Sequence, residues 1–319
     1  MKKDRKLLLV VYFMVPLFIL TMFIPILVNM QEMDLVNQKR EDVLLFQRVI
    51  QRKMGLMTPV SSGDSVRTDY DAVMEVLNEI PTAYISESTA VTSAATISKL
   101  KSFLSGTDRA HVAAHGDYSS GPIVELYDAD LTATGVSQWA TQGQRCKLLI
   151  LSACNSMGHD GTQNNNLASA ITGKSGVQQV IGYKNTVDAG GAAAFAGFFW
   201  HEHLWANGAN GGDTSDNAYE TAKNSLLEMV ENAAIQYMWG AGLSGFIIGV
   251  ICTILEAIGF PSIFVAVAGL VLTHLFLELS YMNFCNSINS AHNNVVKYGS
   301  SVPGLTYSGG GGGGGDVPH

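Results

Sequence analysis

Two residues in the middle of the chain, His115 and Cys154, are of the types that nucleophilic thiol catalysis needs. Each ends a mostly apolar run, Ala110–Ala114 before the histidine and residues 147–152 before the cysteine. An imidazole helps a nearby thiol to reach its thiolate form and later protonates the leaving amine. The pair therefore predicts attack on a carbonyl group, with Cys154 as nucleophile and His115 as general base and acid.

The apolar runs around these residues indicate how the fold would bring them together. Continuous apolar runs separated by helical patterns are typical of a parallel sheet that is buried on both faces. We therefore predict an α/β fold, a three-layer sandwich around a mostly parallel sheet, over residues 63–237. In such a sheet, ligand sites form where the strands end, and both His115 and Cys154 lie at strand ends.

Gly116 follows the histidine directly. Because glycine has no Cβ atom, a substrate carbonyl can approach its backbone closely. We predict that the N–H groups of Gly116 and Cys154 form an oxyanion hole. Other histidines fit structural roles better: His111 lies on the predicted strand, and His201 and His203 are predicted to be solvated at the end of a helix.

The overall composition excludes several classes of function. The net charge is −8, and no long basic stretch interrupts the middle of the chain, which argues against a nucleic-acid partner. The four cysteines form no C-x-x-C pair, so no structural zinc site is expected. We predict no metal and no cofactor.

Both ends of the chain contain long apolar segments. Residues 7–30 carry no charge and follow a basic N-terminus, and about 20 apolar residues suffice to span a bilayer. We predict a transmembrane anchor at 1–30, a juxtamembrane helix and linker at 31–62, a transmembrane hairpin at 238–282 and a Gly-rich tail at 283–319. This places the protein in a membrane, with its central domain outside the cytoplasm. Lipid contact and a homo-oligomer formed through the hairpin would follow.

The two strand ends also resemble a known group of enzymes. A strand ending in His-Gly and a later strand ending in Ala-Cys are similar to those of caspases, legumain, gingipains and separase, and the string LLILSACNSMG is most similar to CHAT domains. Further similar segments follow in order between Ser86 and Leu227. The resemblance implies a caspase-like cysteine peptidase that acts on a protein or peptide. It also implies the same roles for His115, Cys154 and Gly116.

The resemblance leaves substrate preference open. In this family the primary pocket often holds an acidic residue that selects Arg or Lys, or a basic residue that selects Asp. The candidates for substrate binding are Asp117, Asn155, Asp160 and Asp188, with Lys184 as a basic alternative. The sequence places none of them in the pocket, and cleavage after a basic residue stays a hypothesis.

The sequence thus predicts a membrane-anchored cysteine endopeptidase that cleaves a protein substrate or itself. One alternative is a non-catalytic or signalling caspase-like module whose C-terminal hairpin acts as a membrane effector or pore. Two others are a cut near Asn207–Asp213 that frees the C-terminal part, and the processing of a hydrophobic secreted peptide within 240–282.

Overall fold

The strands form two sheets. The computed structural model describes residues 50–119, 121–140, 145–158, 166–234, 237 and 263–307, with the backbone alone at 166 and 263–277. Nine strands lie in these residues: β1 (Arg52–Thr58), β2 (Ile85–Val91), β3 (Arg109–Ala113), β4 (Gly116–Tyr118), β5 (Pro122–Glu125), β6 (Asp130–Thr132), β7 (Leu148–Ser152), β8 (Gln179–Tyr183) and β9 (Val295–Gly299). The main sheet has the order β2-β1-β3-β7-β8-β9, and β4, β5 and β6 form a small antiparallel sheet.

The main sheet is mostly parallel, as predicted. Strands β2, β1, β3, β7 and β8 pair in parallel, and only β9 is antiparallel, to β8. Every residue of β3, β7 and β8 is buried. This burial on both faces explains why these strands have continuous apolar sequences.

Helices cover both faces of the main sheet. In chain order the helical segments are α1 (Arg67–Glu79), α2 (Ile97–Gly106), α3 (Ala133–Ser137), α4 (Asn166–Ser175), α5 (Ala189–Trp205), α6 (215–234) and α7 (Ile263–Asn294). Helix α5 packs against α1 and α7, whereas α2 packs against β1 and β3. Alternate strand residues supply the two faces: Val112 packs in one core with Phe103 of α2, and His111 contacts Trp200 of α5. The domain is therefore a mixed α/β structure around a mostly parallel sheet.

Two strands come from segments that the sequence analysis assigned outside this domain. Residues 52–58 were predicted to belong to the juxtamembrane linker, yet β1 lies between β2 and β3 with Met54 and Leu56 fully buried. Residues 295–299 were predicted to be tail, yet they form the edge strand β9. The chain after β9 also packs on the domain, because the Tyr307 hydroxyl donates to the Leu204 carbonyl at 2.8 Å.

The predicted membrane location is corrected by the structure. Where both backbone and side chains are described, no helix is long and apolar enough to cross a bilayer. The predicted anchor at 1–30 and the first arm of the hairpin, at 240–260, lie outside the described residues. Helix α7 begins within the predicted second arm but continues to Asn294, where Ile288 and Ala291 are buried in the domain. The prediction of an oligomer depended on this hairpin, and that of lipid contact depended on the hairpin and the anchor. No described residue supports either prediction.

Candidate functional site

His115 and Cys154 lie at matching positions beyond two adjacent strands. Strands β3 and β7 run in parallel with Ala113 paired to Ser152. The N–H of Ala114 continues this pairing by donating to the Ser152 carbonyl at 3.1 Å. His115 and Cys154 each come two residues after the paired positions. Both residues consequently reach the same edge of the sheet, where they line one cavity of about 460 Å³.

The Cys154 thiol is held against the backbone between β8 and α5. Its Sγ atom accepts the Val187 N–H at 3.4 Å and lies 3.6 Å from the Val187 carbonyl oxygen. The next residue, Asn155, has a φ of +55°, a left-handed conformation that asparagine tolerates better than most side chains. This sharp turn ends β7 and leaves the half-buried, unbridged thiol at the edge of the cavity.

The His115 ring contacts a carboxylate that the sequence analysis did not select. Its Nε2 atom lies 2.8 Å from Asp64 Oδ2, and the side chain is 48% exposed. The second oxygen, Asp64 Oδ1, accepts the Val66 N–H at 2.9 Å. The hydrogen bond with His115, followed by the one from Val66, lowers the pKa of Asp64. An ionised carboxylate only accepts hydrogen bonds, so Nε2 carries the ring proton and Nδ1 is left free to act as a base.

Gly116 is required by a close backbone approach. A Cβ atom at this position would lie 2.2 Å from the Cys154 carbonyl oxygen and 3.0 Å from the Ile123 carbonyl oxygen. Any other residue would therefore push the segment after β3 away from Cys154. The sequence analysis explained this glycine by the approach of a substrate, whereas the structure shows that the backbone of Cys154 itself occupies the space.

Of the predicted substrate-binding residues that the structure describes, only Asp188 lines the cavity. Asp188 lines the cavity, but its Oδ1 atom caps α5 by accepting the Gly190 N–H at 2.9 Å and also accepts the Ser287 hydroxyl. Asp117 is exposed on β4 and accepts the Tyr118 N–H. Neither Asp117 nor Asn155 lines the cavity, and Asp160 lies outside the described residues.

The cavity contains a second acid that the sequence analysis missed. Asp69 lies in the first turn of α1, is 1% exposed and lines the cavity. Neither of its carboxylate oxygens has a hydrogen-bond partner in the described part of the chain. His111 Nε2 approaches Asp69 Oδ1 to 3.4 Å without the alignment of a hydrogen bond. In the sequence, Asp69 resembles any acid in the first turn of a helix, so no local signal distinguishes it.

His111 and His203 pack in the interior, whereas His201 is exposed, as predicted. His111 is fully buried, and its Nδ1 atom accepts the Trp200 indole N–H at 3.1 Å. His203 was predicted to be solvated but is also buried, where it accepts the Arg109 Nε–H at 2.8 Å. Burial, together with the charge of Arg109, lowers the pKa of His203 to about 3. Among the described residues, no group of three or more His, Cys, Asp or Glu is arranged to hold a metal ion.

Comparison with known proteins identifies a family. A family model described as CHAT domain matches residues 34–249. No curated protein matches the chain in sequence. In structure the chain is similar to a chain in two crystal structures of the Saccharomyces cerevisiae separase–securin complex, at 3.0 and 2.6 Å resolution. The TM-scores are 0.44 and 0.45, and the sequence identity is 11% in both cases. The matched region covers 83% and 81% of this chain but only 13% of the chain in each complex.

Proposed function

Because the chain belongs to the CHAT-domain family, we propose that it is a caspase-like cysteine endopeptidase with Cys154 as nucleophile and His115 as general base and acid. Its substrate is a protein or peptide. The observation that carries the proposal is the matching position of the two side chains, each two residues beyond the paired ends of β3 and β7 and each lining the same cavity.

The first chemical step is attack on the scissile carbonyl. His115 takes the thiol proton on Nδ1, and the Cys154 sulfur forms a bond to the carbonyl carbon. The carbonyl electrons move to the oxygen, and the N–H groups of Gly116 and Cys154 stabilise the resulting oxyanion.

The following steps release the two products. The C–N bond breaks as His115 gives its proton to the departing amine, which leaves an acyl group on the Cys154 sulfur. Water then attacks this thioester while His115 accepts a proton from it, and the thiol leaves with that proton as the acid product departs.

Asp64 acts on this cycle as a positioning residue. Its hydrogen bond to Nε2 fixes the tautomer and orientation of the His115 ring. Because Val66 holds the other carboxylate oxygen, Asp64 is itself fixed in place. The carboxylate also stabilises the imidazolium that forms when the thiol loses its proton.

The test compares variants of the free cysteines. Cys154→Ala should reduce cleavage of a peptide library by roughly 10⁴-fold or more and abolish labelling of this position by iodoacetamide. Cys285→Ala is the matched control, because Cys285 is also unbridged and half-buried but does not line the cavity. Cys146 provides a second comparison, since burial raises the pKa of its thiol to about 12 and it should not react. Unchanged cleavage by Cys154→Ala would refute the proposal.

A further inference from the structure

The Cys154 thiol is held by a segment that has no regular secondary structure of its own. Residues 184–188, which connect β8 to α5, form neither helix nor strand. In this segment the Val187 N–H donates to Cys154 Sγ at 3.4 Å, and the Asn185 carbonyl accepts the Asn155 N–H at 3.2 Å. The segment thus contacts both the sulfur and the turn that follows it, so a shift of the segment would also shift the sulfur.

The C-terminal end of α7 holds this segment in place. Asn294, the last residue of the helix, accepts the Lys184 N–H on its backbone carbonyl at 2.9 Å and Asn185 Nδ2 on its side-chain oxygen at 3.0 Å. Its side-chain nitrogen donates to the Thr186 carbonyl at 3.3 Å. Three consecutive residues before Val187 are therefore bonded to a single residue of α7.

Two serines of α7 add contacts to the same segment. The Ser290 hydroxyl donates to the Thr186 carbonyl at 3.3 Å, and the Ser287 hydroxyl donates to the Asp188 carboxylate. The helix also lies directly against the start of α5, because a Cβ atom at Gly191 would be 2.2 Å from the Ser287 carbonyl oxygen. Helix α7 therefore holds the segment on both sides of the residue that contacts the sulfur.

Asn294 is suited to this task because the main sheet fixes its position. The next residue, Val295, begins β9 and pairs with Tyr183 at the end of β8. The Val295 carbonyl also accepts the Tyr219 hydroxyl at 2.8 Å. An asparagine side chain both accepts and donates hydrogen bonds, so Asn294 can bind a side-chain amide and a backbone carbonyl together. An alanine at this position could do neither.

We propose that Asn294 is a positioning residue for the peptidase reaction and that α7, acting through residues 184–188, sets the position of the Cys154 sulfur. A nucleophile must be aligned with the bound carbonyl, and a displacement of about 1 Å can reduce the rate about 100-fold. A small reagent that approaches from solvent has no such requirement. This inference rests on the proposed function, because it concerns the nucleophile of the same site.

The experiment compares two rates of Cys154 labelling, measured by mass analysis of the peptide that contains it. One reagent is a peptidyl acyloxymethyl ketone, which must bind in the site with its carbonyl aligned to the sulfur. It is chosen from a set varied at the reacting position, as the one that labels the wild type fastest. The other reagent is iodoacetamide, which needs only an accessible thiol. Asn294→Ala should lower the ratio of the ketone rate to the iodoacetamide rate at least about tenfold, because a change in thiol reactivity alone would alter both rates together.

Three controls accompany this variant. Asn293→Ala is the matched control, since Asn293 is exposed on the same turn of α7 and its side chain contacts His292; its ratio should equal that of the wild type. Cys146 reports on folding, because it is fully buried and should stay unlabelled by iodoacetamide. Asn185→Ala removes the partner of the same side-chain bond, so it should lower the ratio as well, and adding it to Asn294→Ala should change the ratio little further.

The possible failures can be told apart. A ratio that stays unchanged in Asn294→Ala would overturn the positioning role and leave the peptidase function standing. An equal fall in Asn293→Ala would also overturn it, because the cause would then be a loosened helix end. If Cys146 becomes labelled in Asn294→Ala, the ratio of Asn185→Ala decides instead. A wild-type protein whose Cys154 reacts with iodoacetamide but with no ketone of the set would remove the proposed function itself.

Discussion

Strand β3 and the residues after it present two histidines, and each faces an aspartate from the same short segment before and within α1. His115 contacts Asp64 at 2.8 Å at the cavity edge, where its side chain is 48% exposed. His111 approaches Asp69 at 3.4 Å in the interior, where both side chains are almost fully buried. The outer pair has an aligned hydrogen bond, and the inner pair does not.

This difference shows how one structural arrangement supports two tasks. The outer ring keeps its Nδ1 atom free, because only Nε2 is bound to a carboxylate, and it can therefore exchange protons. The inner ring is held by the Trp200 indole N–H and makes no hydrogen bond to its aspartate. In our proposal the outer pair moves protons, whereas the inner pair belongs to the packed interior, although the residue types are identical.

The largest expected effect is the contrast between alanine variants of the two histidines, one of which should lose activity and the other stability. His115→Ala should lower kcat/KM by about 10²- to 10⁴-fold and change the free energy of unfolding by less than about 1 kcal/mol, because the ring is half exposed. His111→Ala should instead lower the free energy of unfolding by about 2–4 kcal/mol, since it leaves a cavity and an unpaired Trp200 N–H. Peptide cleavage and urea unfolding of both variants give the measurement. A His115→Ala variant that loses stability but retains activity would reverse the comparison.

A smaller effect is expected at the carboxylate of the outer pair. Asp64→Asn should lower kcat by up to about 100-fold, because the His115 ring loses its fixed orientation. KM should stay nearly constant, since Asp64 does not line the cavity. Partial recovery of kcat in Asp64→Glu would confirm a positioning role. A rise in KM with kcat unchanged would instead place Asp64 in substrate binding.

The smallest expected effect is a dependence of stability on pH. The hydrogen bond from His115 lowers the pKa of Asp64 below its usual value of about 4 in an unfolded chain. A carboxyl group with a lowered pKa stabilises the fold fully above its unfolded pKa, and this contribution is lost as the pH falls through the folded value. The difference in unfolding free energy between wild type and Asp64→Asn should therefore shrink as the pH falls below the usual value of about 4. The difference should be small, because the pair is exposed to solvent, and a difference that grows on acidification would contradict this account.

The sequence was sufficient to select the two residues at the strand ends. His115 and Cys154 follow strands that are buried on both faces, so their apolar runs are continuous and easily recognised. The parallel order of these strands then brings both ends to one edge. This reasoning needs only local pattern and one rule of topology, and the parallel sheet that it predicted is confirmed. The catalytic roles stay a prediction.

The two aspartates could not be found in this way. Asp64 and Asp69 precede His115 by about fifty residues, and their positions depend on β1, which places the 64–69 segment beside β3. That strand was missed because Arg52 and Lys53 at its start resemble the charged residues of the preceding segment. Strand β9 was missed for a related reason, since it follows a long apolar segment and pairs only with a strand more than a hundred residues earlier. Tertiary pairing, which the local sequence does not encode, decides both cases.

Because the chain returns to the main sheet in β9, cleavage of the chain before this strand would not by itself release the C-terminal part. Residues 303–305 cover the loop before α6, because the Gly212 N–H donates to the Leu305 carbonyl. The same segment is held to β3, where Arg109 donates to the Pro303 carbonyl. Strand β9 adds its own pairing to β8. Hydrolysis of a peptide bond near residues 207–213 would consequently produce two polypeptides that stay associated as one particle. Separating them would require the edge strand to leave the sheet.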